Sequence, residues 1–311
     1  MARADLQAPV FTDNNAAREA MEAVLWPYGA RCPRCKSLER IGRVTGKSAR
    51  PGLYYCGDCK RQFTVTVGTI FERSKVPLSK WWLAVHLMAA SKKGMSAHQL
   101  HRMLGVTYPT AWFMEHRIRA AMASGDLTPM GGEGAIVEID ETFIGRKKDM
   151  PVRRGFAHKH AVMTLIERDV DGARARSFYV EGTATADLLP IIKAHVNSGS
   201  HIMTDEAGQY TRMGKHFTEH DYVTHSKGEY GRGPIHTNTV EGFYSVFKRG
   251  MKGIYQHCSE AHLHRYVAEF DFRYNNRIRL GVDDAERAAL VVLGAAGKRL
   301  MYRRPDGLGT A

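Results

Sequence analysis

Four cysteines form two closely spaced pairs near the start of the sequence. Two residues separate Cys32 from Cys35, two separate Cys56 from Cys59, and 20 residues lie between the pairs. Two such pairs at this separation are typical of a four-thiolate zinc site, which is tetrahedral and structural. The spacing predicts one bound zinc ion, with a redox or packed thiol cluster as the alternative. Cys258 stands alone and is expected to be a packed residue.

A second group of residues could perform phosphoryl transfer. Asp140 lies within an apolar, β-branched segment, Asp205 ends a short apolar segment, and Glu241 lies near the start of a helical pattern. A carboxylate inside a strand is costly to bury without a partner, and a metal ion is such a partner. Two strand-borne aspartates and one helix-borne glutamate can hold two Mg²⁺ or Mn²⁺ ions for two-metal catalysis. On the sequence alone, other acidic residues compete for these roles: Glu138, Glu141, Glu206 and Glu229.

The elements that must position these carboxylates follow residue 134, where strand-like and helix-like segments alternate. Apolar, β-branched patterns predict strands over residues 135–144, 161–168, 173–181 and 201–205. A helix is predicted over 185–196 and another from residue 238 or 239. Glu241 and Lys248 are seven residues apart, so two helical turns place them on one face. Lys248 is therefore expected to reach a phosphate near the catalytic face.

Residues 76–124 have the pattern of three helices. Ser96 can cap the second helix and Gly105 can end it, and the third is predicted over residues 109–122. A short helix, a glycine-containing turn and another helix are typical of a helix-turn-helix DNA-binding domain, with an ordinary helical packing domain as the alternative. Residues near the start of the third helix would meet base edges, and arginines further along it would contact phosphates. The candidates are Thr107, Tyr108 and Thr110 for bases, and Arg117 and Arg119 for phosphates.

The chain as a whole is strongly basic. Its 311 residues include 45 lysines and arginines against 32 acidic residues, a formal net charge of +13. Such an excess favours a polyanionic partner, either nucleic acid or an acidic membrane surface. The apolar runs fall short of the ~20 residues that a membrane span needs, and the first residues have no signal-peptide pattern. We therefore expect a protein of the reducing bacterial cytoplasm, associated with the nucleoid and making no membrane contact.

Taken in order, these motifs resemble those of the DDE insertion-sequence transposases of the ISXO type. The resemblance covers roughly residues 20 to 280 and rests on CPRC…CGDC, the helical segment, EIDETFIGRKK, MTDEAGQY and HTNTVEGFYSVFKRGMKGIYQHCSEAHLHRYVAEFDFRYNNR. It implies an RNase H-like α/β fold with a mixed sheet, a catalytic triad at Asp140, Asp205 and Glu241, and a following lysine at Lys248. With Arg249, Lys248 belongs to a series of basic residues that supports a DNA track along this domain.

The resemblance also implies a reaction and its partners. The reaction is cleavage at the ends of an insertion sequence and joining of the 3′ ends to target DNA by metal-assisted phosphoryl transfer. The partners are double-stranded DNA, as element ends and target, and further copies of the chain in a homodimer or higher oligomer. A DNA-binding regulator without catalysis and an RNase H-like nuclease are the alternatives.

The motifs together predict a multi-domain chain. The predicted segments are a helical lead-in (1–28), a zinc ribbon (29–75), a helix-turn-helix domain (76–124), a linker (125–134), the catalytic domain (135–280), and a C-terminal helix with a basic tail (281–311).

Overall fold

The computed structural model describes residues 5–152, 154–168 and 173–301. The chain divides into two compact units. The first unit comprises Met1–Ser91, Met95–Ser124 and Val282–Ala311, and the second comprises Lys92–Gly94 and Gly125–Gly281. The C-terminal segment, predicted as a separate helix and tail, therefore belongs with the N-terminal segments. The basic tail beyond residue 301 lies outside the described residues.

The helices and strands alternate largely as the sequence patterns indicate. The helices are α1 (Pro9–Thr12), α2 (Asn14–Leu25), α3 (Leu78–Ala90), α4 (Ala97–Leu104), α5 (Tyr108–Met122), α6 (Thr185–His195), α7 (Asn238–Gly250), α8 (Glu260–Asn275) and α9 (Asp284–Gly294). The strands are β1 (Ile41–Arg43), β2 (Tyr54–Cys56), β3 (Arg61–Phe63), β4 (Ile136–Ile144), β5 (His160–Arg168), β6 (Ala173–Val180), β7 (His201–Asp205) and β8 (Glu219–Val223). Among the described residues, no helix has both the length and the apolar character needed to cross a membrane.

A small three-stranded antiparallel sheet, in the order β1-β2-β3, follows the first cysteine pair and contains Cys56 of the second at the end of β2. Cys32 and Cys56 are fully buried beside Phe63. The ring of Trp26 meets those of Tyr54 and Phe63 edge-on. Because this core is so small, a bound metal ion is expected to supply much of the folding free energy of the sheet.

Local signals set the ends of α4 and α5. Ser96 Oγ accepts the backbone N–H of Gln99 at 3.2 Å, and Thr107 Oγ1 accepts that of Thr110 at 3.4 Å. These bonds satisfy N–H groups that the first turn of a helix leaves without partners. Gly105 follows α4 at φ 59°, a left-handed conformation that glycine adopts without strain. The sequence contains each of these signals, which is why the helix ends could be predicted.

Helix α9 packs against α2, α3 and α5 within the first unit. Arg287 in α9 donates a hydrogen bond to the carbonyl of Ala89 at 3.1 Å. A Cβ at Gly294 would lie 2.4 Å from the carbonyl oxygen of Ala121, so only glycine permits this close approach to α5. The C-terminal helix and the predicted N-terminal lead-in are therefore structural parts of the helical unit.

The second unit is built on a mixed five-stranded sheet in the order β6-β5-β4-β7-β8. Strands β4, β5 and β6 are antiparallel neighbours, whereas β7 runs parallel to both β4 and β8. One face packs on α6 through Leu188 and Ile192, and the other packs on α7 and α8 through Phe247 and Phe270. The predicted mixed sheet is confirmed.

The segment predicted as a linker, residues 125–134, is packed against the second unit. Met130 is fully buried in the core of that unit. Its N–H donates to the carbonyl of His195 at 2.7 Å, and its carbonyl accepts the N–H of Asn197 at 2.8 Å. Its glycines suggested a free connection, but Met130 fixes part of the segment to the end of α6.

Candidate active site

Asp140 and Asp205 lie on neighbouring strands of the mixed sheet. Strands β4 and β7 run parallel, with Glu138 paired to Met203. Two residues beyond this pair, β4 carries Asp140 and β7 carries Asp205, and adjacent strands are about 4.8 Å apart. Both aspartates line a pocket of about 740 Å³, together with Lys248 from α7. The sheet register therefore brings together two residues that are 65 positions apart in the sequence.

The carboxyl group of Asp140 is in an environment that disfavours its charge. Burial, followed by the nearby charges of Glu141, Asp205 and Glu241, raises the pKa of Asp140 to about 8. The N–H of Glu141, which donates to Asp140 Oδ1 at 2.7 Å, offsets only part of this effect. A divalent cation beside Asp140 would relieve both the desolvation and the repulsion.

Glu141 also lines the pocket, but polar neighbours engage its carboxylate. Tyr210 donates its hydroxyl to one oxygen, and Gln209 Nε2 lies 3.2 Å from the other. Burial raises the pKa of Glu141 to about 7 despite these two hydrogen bonds. The sequence reasoning missed Tyr210 and Gln209, although both lie in the MTDEAGQY segment that also carries Asp205.

Glu241 lies in the first turn of α7, with its side chain 45% exposed. Its carboxylate accepts a hydrogen bond from Thr237 Oγ1 at 3.3 Å and lies 3.3 Å from His225 Nε2. It is near enough to Asp140 to raise the pKa of that residue. The structure thus brings Asp140, Asp205 and Lys248 to one pocket. Glu241 does not line this pocket, and its carboxylate contacts Thr237 and His225 instead.

Within the described parts of the chain, two groups of potential metal ligands lie with all their ligand atoms within 4.8 Å of one another. One is the cysteine cluster. The other is His201, Glu219 and Asp221, on β7 and β8. The three predicted catalytic carboxylates do not form such a close group.

Glu138, a competing candidate for catalysis, is fully buried and anchors α7 to the sheet. It accepts the hydroxyl of Thr239 at 2.6 Å and the N–H of Val240 at 2.9 Å. It also pairs with Arg168 on β5, whose guanidinium donates to the carbonyl oxygens of Pro234 and His236 at 2.6 Å each. Glu138 therefore holds the start of the helix that carries Glu241 and Lys248.

The end of α7 carries basic residues to the same pocket. Gly250 ends the helix, and the chain continues through a π-helical turn, Met251–Tyr255. A Cβ at Gly250 would lie 2.5 Å from both the carbonyl oxygen of Lys93 and the ring of Phe270, so glycine is required. Lysines before and after Gly250 line the pocket, and so does a third from the segment before β5; they are Lys248, Lys252 and Lys159.

The predicted zinc ligands are grouped in the first unit. The Sγ atoms of Cys32 and Cys59 lie 3.6 Å apart, and those of Cys35 and Cys56 lie 3.5 Å apart. Burial opposes ionisation of Cys32, but hydrogen bonds from the N–H groups of Cys35 and Arg34 more than offset it and lower the pKa of this thiol to about 7. Four close thiols, one of them prone to ionise, fit a structural zinc ion.

Comparison with known proteins finds one matching domain family for each of the two units. A family described as the ISXO2-like transposase domain matches residues 131–275, and a transposase zinc-ribbon domain matches residues 12–62. The chain is 30% identical over 285 residues to an uncharacterized protein in transposable element ISH50 of Halobacterium salinarum, covering 85% of this chain and 91% of that protein. The chain belongs to the ISXO2-like transposase family.

Among solved structures, the transposase aligns with a chain described as "CryoEM structure of simian T-cell lymphotropic virus intasome in complex with PP2A regulatory subunit B56 gamma". The TM-score is 0.29 and the identity 16%, with 55% of the transposase and 63% of that chain covered. A similarity at this level carries no functional argument.

Some of the residues predicted to bind DNA are exposed to solvent at the start of helix α5. Thr107 and Tyr108 are exposed at its start, and Thr110 is half-buried. The ring of Tyr108 stacks on that of His98, with centroids 4.3 Å apart. Arg249, at the end of α7 in the second unit, is also exposed.

The structure contradicts the predicted phosphate contact at Arg119, and it places Arg117 half-buried among backbone carbonyls. Arg119 is fully buried and pairs with Glu115 at 3.1 Å, one helical turn away. Arg117 donates from NH1 to the carbonyl of Ile70 at 2.8 Å and from Nε to that of Leu300 at 3.1 Å. Both guanidinium groups are directed into the first unit, and the sequence pattern alone did not show that this side of α5 is covered.

Proposed function

We propose that this transposase is a DDE enzyme that binds the ends of an insertion sequence, cleaves them and joins the 3′ ends to target DNA. The observation that carries the proposal is that Asp140 and Asp205, on the neighbouring parallel strands β4 and β7, line one pocket together with Lys248. Carboxylates and lysines around one pocket suit a phosphodiester held between cations. The order of the mixed sheet, followed by α7, supports the RNase H-like fold that the resemblance implies.

The donor set of the pocket fits a divalent cation. Asp140 and Asp205 offer hard oxygen ligands, and burial, together with the neighbouring carboxylates, raises the pKa of Asp140, an environment that a cation would make favourable for its charge. These two aspartates, with Glu241 from α7, are the residues that would hold two Mg²⁺ or Mn²⁺ ions. When bound, the ions would supply Lewis-acid stabilisation of the attacking and leaving oxygens.

Other residues of the chain act by positioning. Lys248 lines the pocket and would neutralise a phosphate oxygen of the bound strand. Glu138 and Arg168 fix the start of α7, and thereby the position of Glu241. Glu241, which contacts Thr237 and His225, would have to turn toward the aspartates to complete the ligand set.

DNA recognition is assigned to the first unit. The exposed start of α5, at Thr107 and Tyr108, is proposed as the part of a helix-turn-helix that meets base edges, with Thr110 behind it. The zinc ribbon would support this contact. Because the reaction joins two element ends, the proposed active form on DNA is a homodimer or a higher oligomer.

The test is a set of charge-removing, nearly isosteric substitutions: Asp140→Asn, Asp205→Asn and Glu241→Gln. Each should lower the rates of end cleavage and strand joining by more than about 100-fold, while leaving binding of end DNA nearly unchanged. Glu133→Gln, at an exposed position of the same unit, is the matched control. Rates are measured on labelled end duplexes with Mg²⁺ and with Mn²⁺.

The outcomes separate the alternatives. Cleavage without joined products would favour a nuclease, and end binding without either reaction would favour a DNA-binding regulator. A Glu241→Gln protein that joins ends at a near-normal rate would remove Glu241 from the ligand set. In that case Glu141, which already lines the pocket, becomes the third carboxylate to test.

A further inference from the structure

An aromatic ring is exposed at the rim of the catalytic pocket. Phe156 lines the pocket that Asp140 also lines, and the residue is 54% exposed. The ring stacks on that of Phe143, with centroids 4.6 Å apart and planes at 15°. Phe143 in turn packs against the core of the second unit. The two rings therefore form a short stack that is fixed at its inner end and accessible at its outer ring.

Lysine side chains lie near this ring. Lys159 Nζ lies 5.1 Å from the centroid of Phe156, and Lys248 and Lys252 line the same pocket. A flat π surface beside several ammonium groups is the combination with which proteins bind single-stranded nucleic acid, where bases stack on aromatic rings and phosphates meet cations. The long side chain of Lys159 can leave the ring and contact a phosphate when a base takes its place.

The size and chemistry of the pocket narrow the class of ligand. A volume of about 740 Å³ is in the range that encloses a small organic molecule. Within a continuous duplex, stacking on neighbouring pairs covers both faces of each interior base, so the exposed ring of Phe156 can stack on such a base only after the base has left the stack. The ligand is therefore an unpaired nucleotide, and its phosphodiester would lie toward Asp140 and Asp205.

We propose that Phe156 is the stacking platform for an unpaired base next to the phosphodiester that is cleaved or joined. The inference rests on the proposed function, because it places the reacting phosphate at the carboxylate pocket. It adds a substrate requirement that the carboxylates do not impose: the DNA end must fray before it reacts. The transposase would select ends that melt readily, since unpairing a base takes a few kcal/mol.

The experiment measures the binding of two DNA duplexes to the full-length, zinc-bound protein without added magnesium. One duplex is fully paired, and the other has unpaired terminal nucleotides that carry 2-aminopurine, whose fluorescence falls when it stacks. Phe156→Leu keeps an apolar side chain but removes the π face, and Phe156→Trp keeps the face. Tyr222→Ala is the matched control, because Tyr222 is 53% exposed on β8 of the same unit.

Phe156→Leu should weaken binding of the frayed duplex about ten-fold and abolish the loss of fluorescence, with binding of the paired duplex changed less than about two-fold. Phe156→Trp and Tyr222→Ala should behave like the unaltered protein. The proposal is overturned if Phe156→Leu retains full affinity for the frayed duplex, because the ring then serves only to cover Phe143. Equal losses on both duplexes would also overturn it.

This assay is independent of catalysis. If Asp140→Asn leaves cleavage intact, the proposed function fails, whereas a selective loss of frayed-end binding in Phe156→Leu would still support the stacking site. If Asp140→Asn abolishes cleavage and Phe156→Leu binds frayed ends normally, the proposed function stands and the stacking site is excluded.

Discussion

The cysteine cluster and the carboxylate pocket are both suited to metal ions, but the chain builds them in opposite ways. The four cysteines of the cluster all lie within residues 32–59, on and beside a small sheet, and their sulfur atoms are already close together. The carboxylates are spread over residues 140–241 and are carried by a sheet and helix with an extensive apolar core. Asp140 and Asp205 lie on neighbouring parallel strands and line one pocket, whereas Glu241 contacts Thr237 and His225.

This difference in construction determines how strongly the fold around each site depends on a bound metal ion. A local site on a small core depends on the ion for its fold, because few apolar contacts remain when the ion is removed. A site on a large core keeps its framework without an ion, but its carboxylates then repel one another. Loss of metal should therefore unfold the first site and leave the second site folded.

The largest effect is expected from removal of zinc. Cys56→Ser takes one thiolate from the cluster, and structural zinc sites supply about 10–16 kcal/mol of apparent folding free energy. Amide exchange in residues 29–75 should accelerate at least about 100-fold, while that of β4 and β5 stays unchanged. Cys258→Ser, at the cysteine outside the cluster, is the control. Equal acceleration in both units would contradict the contrast between the two sites.

A smaller effect is expected at the anchor of α7. Glu138→Gln leaves Arg168 without its buried charged partner, and breaking such a pair destabilises proteins by about 3 kcal/mol. Native-state exchange of amides in β4 and α7 measures this loss. Tryptophan fluorescence follows the first unit, which contains all four tryptophans, Trp26, Trp81, Trp82 and Trp112, and it should not change.

Glu133→Gln, the same substitution at an exposed position, serves as the control for this anchor. If Glu138→Gln matched Glu133→Gln in stability, Glu138 would not be the residue that fixes α7. The aspartates would then depend on strand register alone, and the anchor would contribute nothing to the pocket.

The smallest expected effect tests whether burial, without repulsion from other carboxylates, can raise the pKa of an aspartate. Asp271 accepts hydrogen bonds from the N–H and hydroxyl of Ser177, and burial raises its pKa to about 6. The folded chain thus keeps a proton that an unfolded aspartate, with a pKa near 3.9, has released. The free energy of unfolding of the second unit should therefore fall as the pH rises from about 4 to about 6.

Asp271→Asn should remove this part of the pH dependence, a difference on the order of 2 kcal/mol across the window. Denaturation followed by exchange of amides in β6 and α8, at several pH values, provides the measurement. Identical pH slopes in the two proteins would show that burial alone does not hold a proton on Asp271. The raised pKa of Asp140 would then have to come mainly from its charged neighbours.

Some of these features could be predicted from the sequence because they depend on neighbours along the chain. The cysteine spacing, the cap at Ser96, the helix end at Gly105 and the apolar strand ending at Asp205 are local patterns. Period and spacing decide such elements before any tertiary contact forms. The mixed sheet was expected from the resemblance and from the order of these local elements.

Other features depend on partners that are distant in the sequence. Glu138 looked like a catalytic candidate until its contacts with Arg168 and Val240 were seen, 30 and 102 residues away. Arg119 looked exposed on α5 but is covered, and Met130 looked like part of a loose linker but is buried. Nothing in the local pattern encodes which side of a helix or turn another segment will cover.

The position of α9 has a consequence for synthesis of the protein. A ribosome makes the ribbon and the first helices early, but α9, which packs against α2, α3 and α5, emerges only after residue 283. The second unit can therefore finish folding while the first unit still lacks a helix. A copy of the gene truncated before α9 would yield the second unit beside an incomplete first unit. We expect such a product to lose whatever activity depends on a folded first unit.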